Sequence, residues 1–343
     1  MHHHGAMEDQ DTRVARVLRN CGQVVTPDRF EGEMASGLRE QLELYRLFTH
    51  DVGCAFLADM AFNAVATCEG ASFAIGINIG APLLIARYAY CLMSDPAMFP
   101  QIGDPTREKV DPYVVGTLRT PHVPADFGRY LPLDPTRQQA AKQLSLAAYL
   151  VLFFHELNHI ELGHLGFLKD RFGATHYTEI AAVPMSAAEC TVRRALEWEA
   201  DLAALPRSLR VWRTLHPMFD DPAIRVLTPE ESWFFAAELL FWIMDFVRPT
   251  ERAGALTTHP SPVVRRINLG HVTSKVDWVP TMDGDKSPLL PWIARNAFPA
   301  RAFADPQYGA PTRIARELEE MRQQLVLLLP ELERHRRFAG ERD

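Results

Sequence analysis

The chain is poor in cysteine, carries no excess of positive charge and has no long uninterrupted apolar run. Its five cysteines (Cys21, Cys54, Cys68, Cys91, Cys190) are odd in number and scattered. That pattern excludes a disulfide framework, disfavours a zinc–cysteine site and suits buried free thiols in a reducing compartment. A net charge of −7 with a pI near 6.0 argues against a dedicated nucleic-acid surface. The local basic run Arg334-His-Arg-Arg337 fits a helix C-terminus balancing its dipole. No signal peptide is visible, since the N-terminus is polar and charged through Arg19. Met1-His-His-His-Gly-Ala reads as an expression remnant, which removes His2 to His4 from any metal site. A cytoplasmic protein without repeats or low-complexity tracts is expected.

The most apolar stretch, Ala71 to Met93, has Arg87 as its single charge and approaches the length of a membrane span. Gly76, Asn78, Gly80 and Pro82 interrupt its first half, and Ser-Phe-Ala-Ile-Gly-Ile-Asn-Ile alternates as a strand does. A strand followed by a helix from about Pro82 is expected, with Tyr88 and Tyr90 in the core and no membrane insertion. Hydrophobic residues at 47% and charged residues at 23% are ordinary for a globular chain long enough for one large or two modest domains.

What the sequence does contain is Phe-Phe-His155-Glu156-Leu-Asn-His159, an H-E-x-x-H within an apolar helical segment. From Gln139 to Phe154 the only formal charge is Lys142, so the helix is expected to be buried nearly all round. Histidines at i and i+4 lie about 40° apart on a helix, one turn above each other, and both can reach one ion. Polar groups carried into such a setting have to be paired or metal-bound. Glu156 follows the first histidine and is placed to hold and deprotonate a zinc-bound water.

Zinc in a catalytic site takes a third protein ligand and leaves a fourth position open. His164 is the nearest candidate. On a continuing helix, however, it lies about 140° from His159 and faces another way. It is expected at a helix end, near the C-terminal dipole, or behind a ligand. Downstream, Ser186-Ala-Ala-Glu189 is a capping box opening a helix that carries Glu197-Trp-Glu-Ala-Asp201. Glu197 and Asp201 share a face. One can bind the metal while the other accepts a hydrogen bond from a ligating histidine. Glu199 is the rival ligand.

Together with Thr258-His259-Pro260-Ser261 and Arg265-Arg266-Ile267, these blocks resemble the three signature segments of the gluzincins, closest to the HtpX and CAAX-prenyl-protease-like peptidases. The match covers roughly residues 140 to 270. The resemblance implies a zincin-like fold, Zn2+ bound by His155, His159 and Glu197, and Glu156 as catalytic base. It implies that Asp201 supports a ligand, that His259 stabilises the oxyanion, and that Arg265 (or its neighbour Arg266) is the family's arginine. Asn158 stands where relatives carry a small residue, and many relatives are membrane-embedded. The tail Ile160-Glu-Leu-Gly163-His164 is also similar to the soluble Lit-type phage-exclusion and ImmA/IrrE-type peptidases.

The fold expected is α+β and mainly helical, with a small sheet and the H-E-x-x-H helix at its centre. Its parts are the remnant at 1–6, a helical and strand region at 7–137, a catalytic core at 138–271, and a proline-rich loop with a C-terminal helix at 272–343, together one compact unit. A long helical stretch, with a possible break around Gly53, is expected over about 33 to 68, and strands over Phe73–Ile79 and Tyr113–Leu118. Further helices are expected over about 138–170, 186–204, Thr228 to Phe246 and 312–338. The function this implies is hydrolysis of peptide bonds in a protein or peptide substrate, with a regulatory or bacterial defence role by analogy to the Lit type. The competing functions are a catalytically inactive, metal-stabilised binding or regulatory protein and an enzyme acting on a small amide.

Overall fold

Val52 to Asn78 forms most of a sheet. A computed structural model describes residues 10–25, 32–49, 51–109, 131–174, 176–178, 185–218, 227–247, 258–275 and 311–336. Contacts divide the chain into two units, 1–81 with 159–180 and 331–343, and 82–158 with 181–330. The protein is α+β and mainly helical, and its sheet is small.

In the first unit, helix α1 (Gln10–Leu18), strand β1 (Val24–Val25) and helix α2 (Gly32–Leu47) precede strands β2 (Val52–Leu57), β3 (Ala64–Glu69) and β4 (Ser72–Asn78). Helix α3 (Gly80–Ser94), which belongs to the second unit from Pro82 on, begins at the end of β4, as the broken apolar run predicts, and Tyr88 and Tyr90 are buried. A last strand, β5 (His176–Thr178), completes the order β1-β2-β4-β3-β5. The β2–β4 pair is parallel and the other three pairs are antiparallel.

The expected long helix over 33–68 is therefore corrected: it ends at Leu47, and two strands follow. Val-Gly-Cys-Ala-Phe-Leu is buried at all six positions, and a run apolar on both faces has no period that separates strand from helix. Helix α1 packs on this sheet, with Val14, Val17 and Leu18 meeting Ala55, Leu57, Val65 and Ala74. Gly53 permits the approach, since a Cβ there would lie 2.2 Å from Val14 Cγ2.

Helix α4 (Pro135–Glu161), which lies in the second unit as far as Asn158, carries the H-E-x-x-H. Its start is fastened by Arg137, which is fully buried and donates to the carbonyls of Met93, Asp95, Met98, Phe99 and Ile102. Asp134 accepts from the Arg137 amide at 3.1 Å, satisfying one of the free N–H groups of the first turn. The helix does not run on to about 170 as expected. It stops at Glu161, Gly163 turns the chain with φ of +80°, and a new helix of the first unit, α5 (His164–Phe172), begins.

Helix α6 (Ala187–Leu215) opens on the predicted cap, with Ser186 Oγ accepting from the Glu189 amide at 3.1 Å. It continues past Pro206 instead of ending near 204. Tertiary anchors override the proline here: Trp233 Nε1 donates to Ser208 Oγ and Trp212 Nε1 to Ser232 Oγ. Both tryptophans are fully buried. Helix α7 (Pro229–Val247) has the complete capping box, in which Thr228 Oγ1 accepts from the Glu231 amide and Glu231 accepts from the Thr228 amide. Helices α8 (Pro262–Lys275) and α9 (Pro311–Leu332) follow. Ser261, just before α8, is held by Glu317 of α9 through its amide (2.7 Å) and hydroxyl (2.9 Å).

All five cysteines are free: Cys54, Cys91 and Cys190 are buried, and Cys21 and Cys68 half-buried. No helix among the described residues is long and apolar enough to cross a membrane. The expected strand at Tyr113–Leu118, the N-terminal remnant and most of the proline-rich loop lie outside the described residues.

Candidate metal centre

Helix α4 presents His155, Glu156 and His159 in a buried setting, with exposures of 2%, 1% and 0%. One turn separates the two imidazoles. Helix α6 brings Glu197, and the three side chains His155, His159 and Glu197 offer ligand atoms that all lie within 4.8 Å of one another. His155 Nε2 is 3.2 Å from Glu197 Oε2.

The other nitrogen of His155, Nδ1, lies 2.9 Å from Asp201 Oδ1. Asp201 is gripped in turn by Arg265 of α8, whose Nε is 2.7 Å from Oδ2 and whose Nη2 is 3.1 Å from Oδ1. This two-point geometry is the strong form of an arginine–carboxylate pair. The same Nη2 reaches Glu197 Oε2 at 3.2 Å. The guanidinium lies over the Phe241 ring at 5.2 Å and donates to Met244 Sδ. Arg266, by contrast, turns away to Glu238 at 2.8 Å. Of the two adjacent arginines, Arg265 is the one at the site.

His259 approaches from the segment before α8. Its Nε2 is 3.2 Å from Glu197 Oε1 and its Nδ1 is 2.8 Å from Thr258 Oγ1. The histidine to which the resemblance gives an oxyanion-stabilising role stands against Glu197. Both carboxylate oxygens of Glu197 thus face partners. Burial alone pushes the Glu197 carboxyl up, but the His259 and His155 imidazoles outweigh it and hold the group well below the usual carboxylate range. Glu199, the rival ligand, is half-buried and lies outside the group.

On the side of His159 the neighbours are aromatic. The Tyr177 ring stacks on it with centroids 3.8 Å apart and planes 21° from parallel. His164 stands edge-on, Nδ1 to Nδ1 at 2.9 Å. His164 does not face away as a continuing helix would require, because the chain turns at Gly163. That glycine, immediately before the histidine, is the sequence signal for the contact. Tyr177 sits on a three-residue strand and left no signal.

Do these residues fit a metal? Two imidazoles and one carboxylate are a donor set of catalytic zinc. Donors bonded at about 2.0–2.1 Å to a tetrahedral ion stand about 3.3 Å apart, and the His155–Glu197 separation matches such an edge. Charge agrees. Three carboxyl groups, Glu156, Glu197 and Asp201, are buried with one guanidinium, Arg265, an excess of two acidic side chains before the histidines are counted. Buried charge of that size is costly without a partner, and a divalent cation neutralises it.

Compared with protein-family models, with curated proteins and with solved structures, the chain finds no match in any of the three.

Proposed function

We propose that the protein is a zinc-dependent metalloendopeptidase of gluzincin type, with His155, His159 and Glu197 holding the metal and Glu156 as general base. The single observation that carries this reading is the buried His-His-Glu donor set immediately beside Glu156. Bound there, zinc supplies a Lewis acid that polarises a carbonyl and lowers the pKa of water from 15.7 toward about 7.

The remaining work belongs to the chain. Glu156 accepts the proton of the attacking water and delivers it to the leaving amine. Asp201 orients His155, and Arg265 holds Asp201 in place while offsetting part of the negative charge. His259 and Arg265 fix the carboxylate of Glu197 from two sides, which leaves it little freedom to swing. Burial of the whole set keeps competing water away and strengthens each of these electrostatic contacts. The substrate class that fits is a protein or peptide, the compartment is the cytoplasm, and neither nucleic acid nor membrane has a place in the reading.

The test is cleavage of a proteome-derived peptide library and of native lysate proteins by zinc-loaded protein, wild type against Glu156→Gln. Wild type is expected to cut a defined set of bonds and the variant none, with zinc content equal in both. Equal cleavage by both forms removes Glu156 from the mechanism. Zinc in both with cleavage by neither overturns the peptidase in favour of a metal-stabilised binding protein.

A further inference from the structure

We infer that His164 is a positioning residue of the metal centre, acting as the hydrogen-bond acceptor that fixes the tautomer and the ring plane of His159. This rests on the proposed metal site and deepens it.

Each imidazole of a metal-binding histidine has two nitrogens, and the hydrogen bond made by one decides which is left for the ion. His159 Nδ1 faces His164 Nδ1 at 2.9 Å, so Nε2 is the nitrogen this reading assigns to the metal. A histidine that binds through Nε2 carries its proton on Nδ1. It therefore donates, and His164 Nδ1 accepts. The proton of His164 is then confined to Nε2. No other assignment puts one hydrogen between the two nitrogens while leaving His159 Nε2 a lone pair for the ion.

The contact is built rather than incidental. His164 and His159 are each 0% exposed. His164 is the first residue of α5, and its direction is set by the left-handed turn at Gly163. That turn is closed from outside: a Cβ at Gly163 would stand 2.5 Å from the carbonyl carbon of His335, and one at Gly166 2.7 Å from His335 Nδ1. The stacked Tyr177 ring holds the plane of His159 while His164 holds its edge. Ligating histidines ordinarily donate to a carboxylate, a carbonyl or water, and loss of that partner costs about 10–100-fold in metal affinity. Here the acceptor is a neutral ring.

The experiment compares zinc affinity, by competition with a chromophoric chelator, in wild type, His164→Leu and His164→Asn. Asparagine offers its Oδ1 where the histidine offers Nδ1; leucine fills the space and accepts nothing. His164→Leu is expected to bind zinc about 10–100-fold more weakly, and His164→Asn to recover most of the loss. Leucine binding as tightly as wild type, or asparagine failing as badly as leucine, overturns the acceptor role. Selective 15N-histidine labelling of the zinc-loaded wild type gives a second readout that does not depend on a variant folding. A protonated Nδ1 on His159 and an unprotonated Nδ1 on His164 are expected, and a proton on His164 Nδ1 overturns the assignment. Wild type that takes up no zinc overturns the metal centre and the role of His164 with it. Tight zinc in wild type and His164→Leu alike overturns His164 alone.

Discussion

His155 and His159 sit one turn apart on helix α4, yet what holds them differs in kind. His155 leans on a carboxylate, Asp201, which is itself clamped by a buried guanidinium. His159 leans on a second imidazole, His164, and is covered by Tyr177. The carboxylate stands at the outer nitrogen of its imidazole and leaves the other to face Glu197. An imidazole partner, in the role inferred for His164, orients without adding a carboxylate to those of Glu156 and Glu197. A site with three buried carboxylates gains from having its second histidine held this way.

The two sides also differ in how they break. Asp201→Ala leaves Arg265 without its two-point partner in a place where only 1% of the residue is exposed. Removing one member of a buried pair costs about 3–5 kcal/mol, so the midpoint of urea unfolding of the metal-free protein should fall steeply. An unchanged midpoint would mean that the Asp201–Arg265 pair is not buried as described. On the aromatic side the strongest single lesion is Gly163→Ala. A residue with a Cβ at φ of +80° pays about 1–2 kcal/mol for the left-handed backbone alone, before the contact with the His335 backbone is counted. A smaller fall in midpoint together with weaker zinc binding is expected. Stability lost with zinc affinity unchanged would separate the Gly163 turn from His159.

The same contrast marks how much the sequence could tell. The charged side is local arithmetic. Glu197 and Asp201 share a helical face, Ser186 and Thr228 announce their helices, and Arg265 stands at a spacing the resemblance supplied. The aromatic side depends on a turn and a strand. Treating 138–170 as one helix sent His164 to the wrong azimuth, although Gly163 beside it is the residue that a left-handed turn selects. Tyr177 reaches His159 because β5 pairs with β3, a long-range event that three residues of sequence do not announce. Likewise Val52–Leu57 lacked any period, and the helix expected over 186–204 runs on past Pro206 because Ser208 and Trp212 are anchored beyond it.

Zinc binding by His155, His159 and Glu197 is the central claim, and zinc affinity and stoichiometry test it most directly. The protein is stripped with chelator and reloaded, with the three N-terminal histidines replaced so that they contribute nothing. One zinc per chain is expected, lost in Glu197→Ala and kept in Glu199→Ala. No zinc in the parent protein, or equal zinc in both glutamate variants, would contradict the metal centre as described.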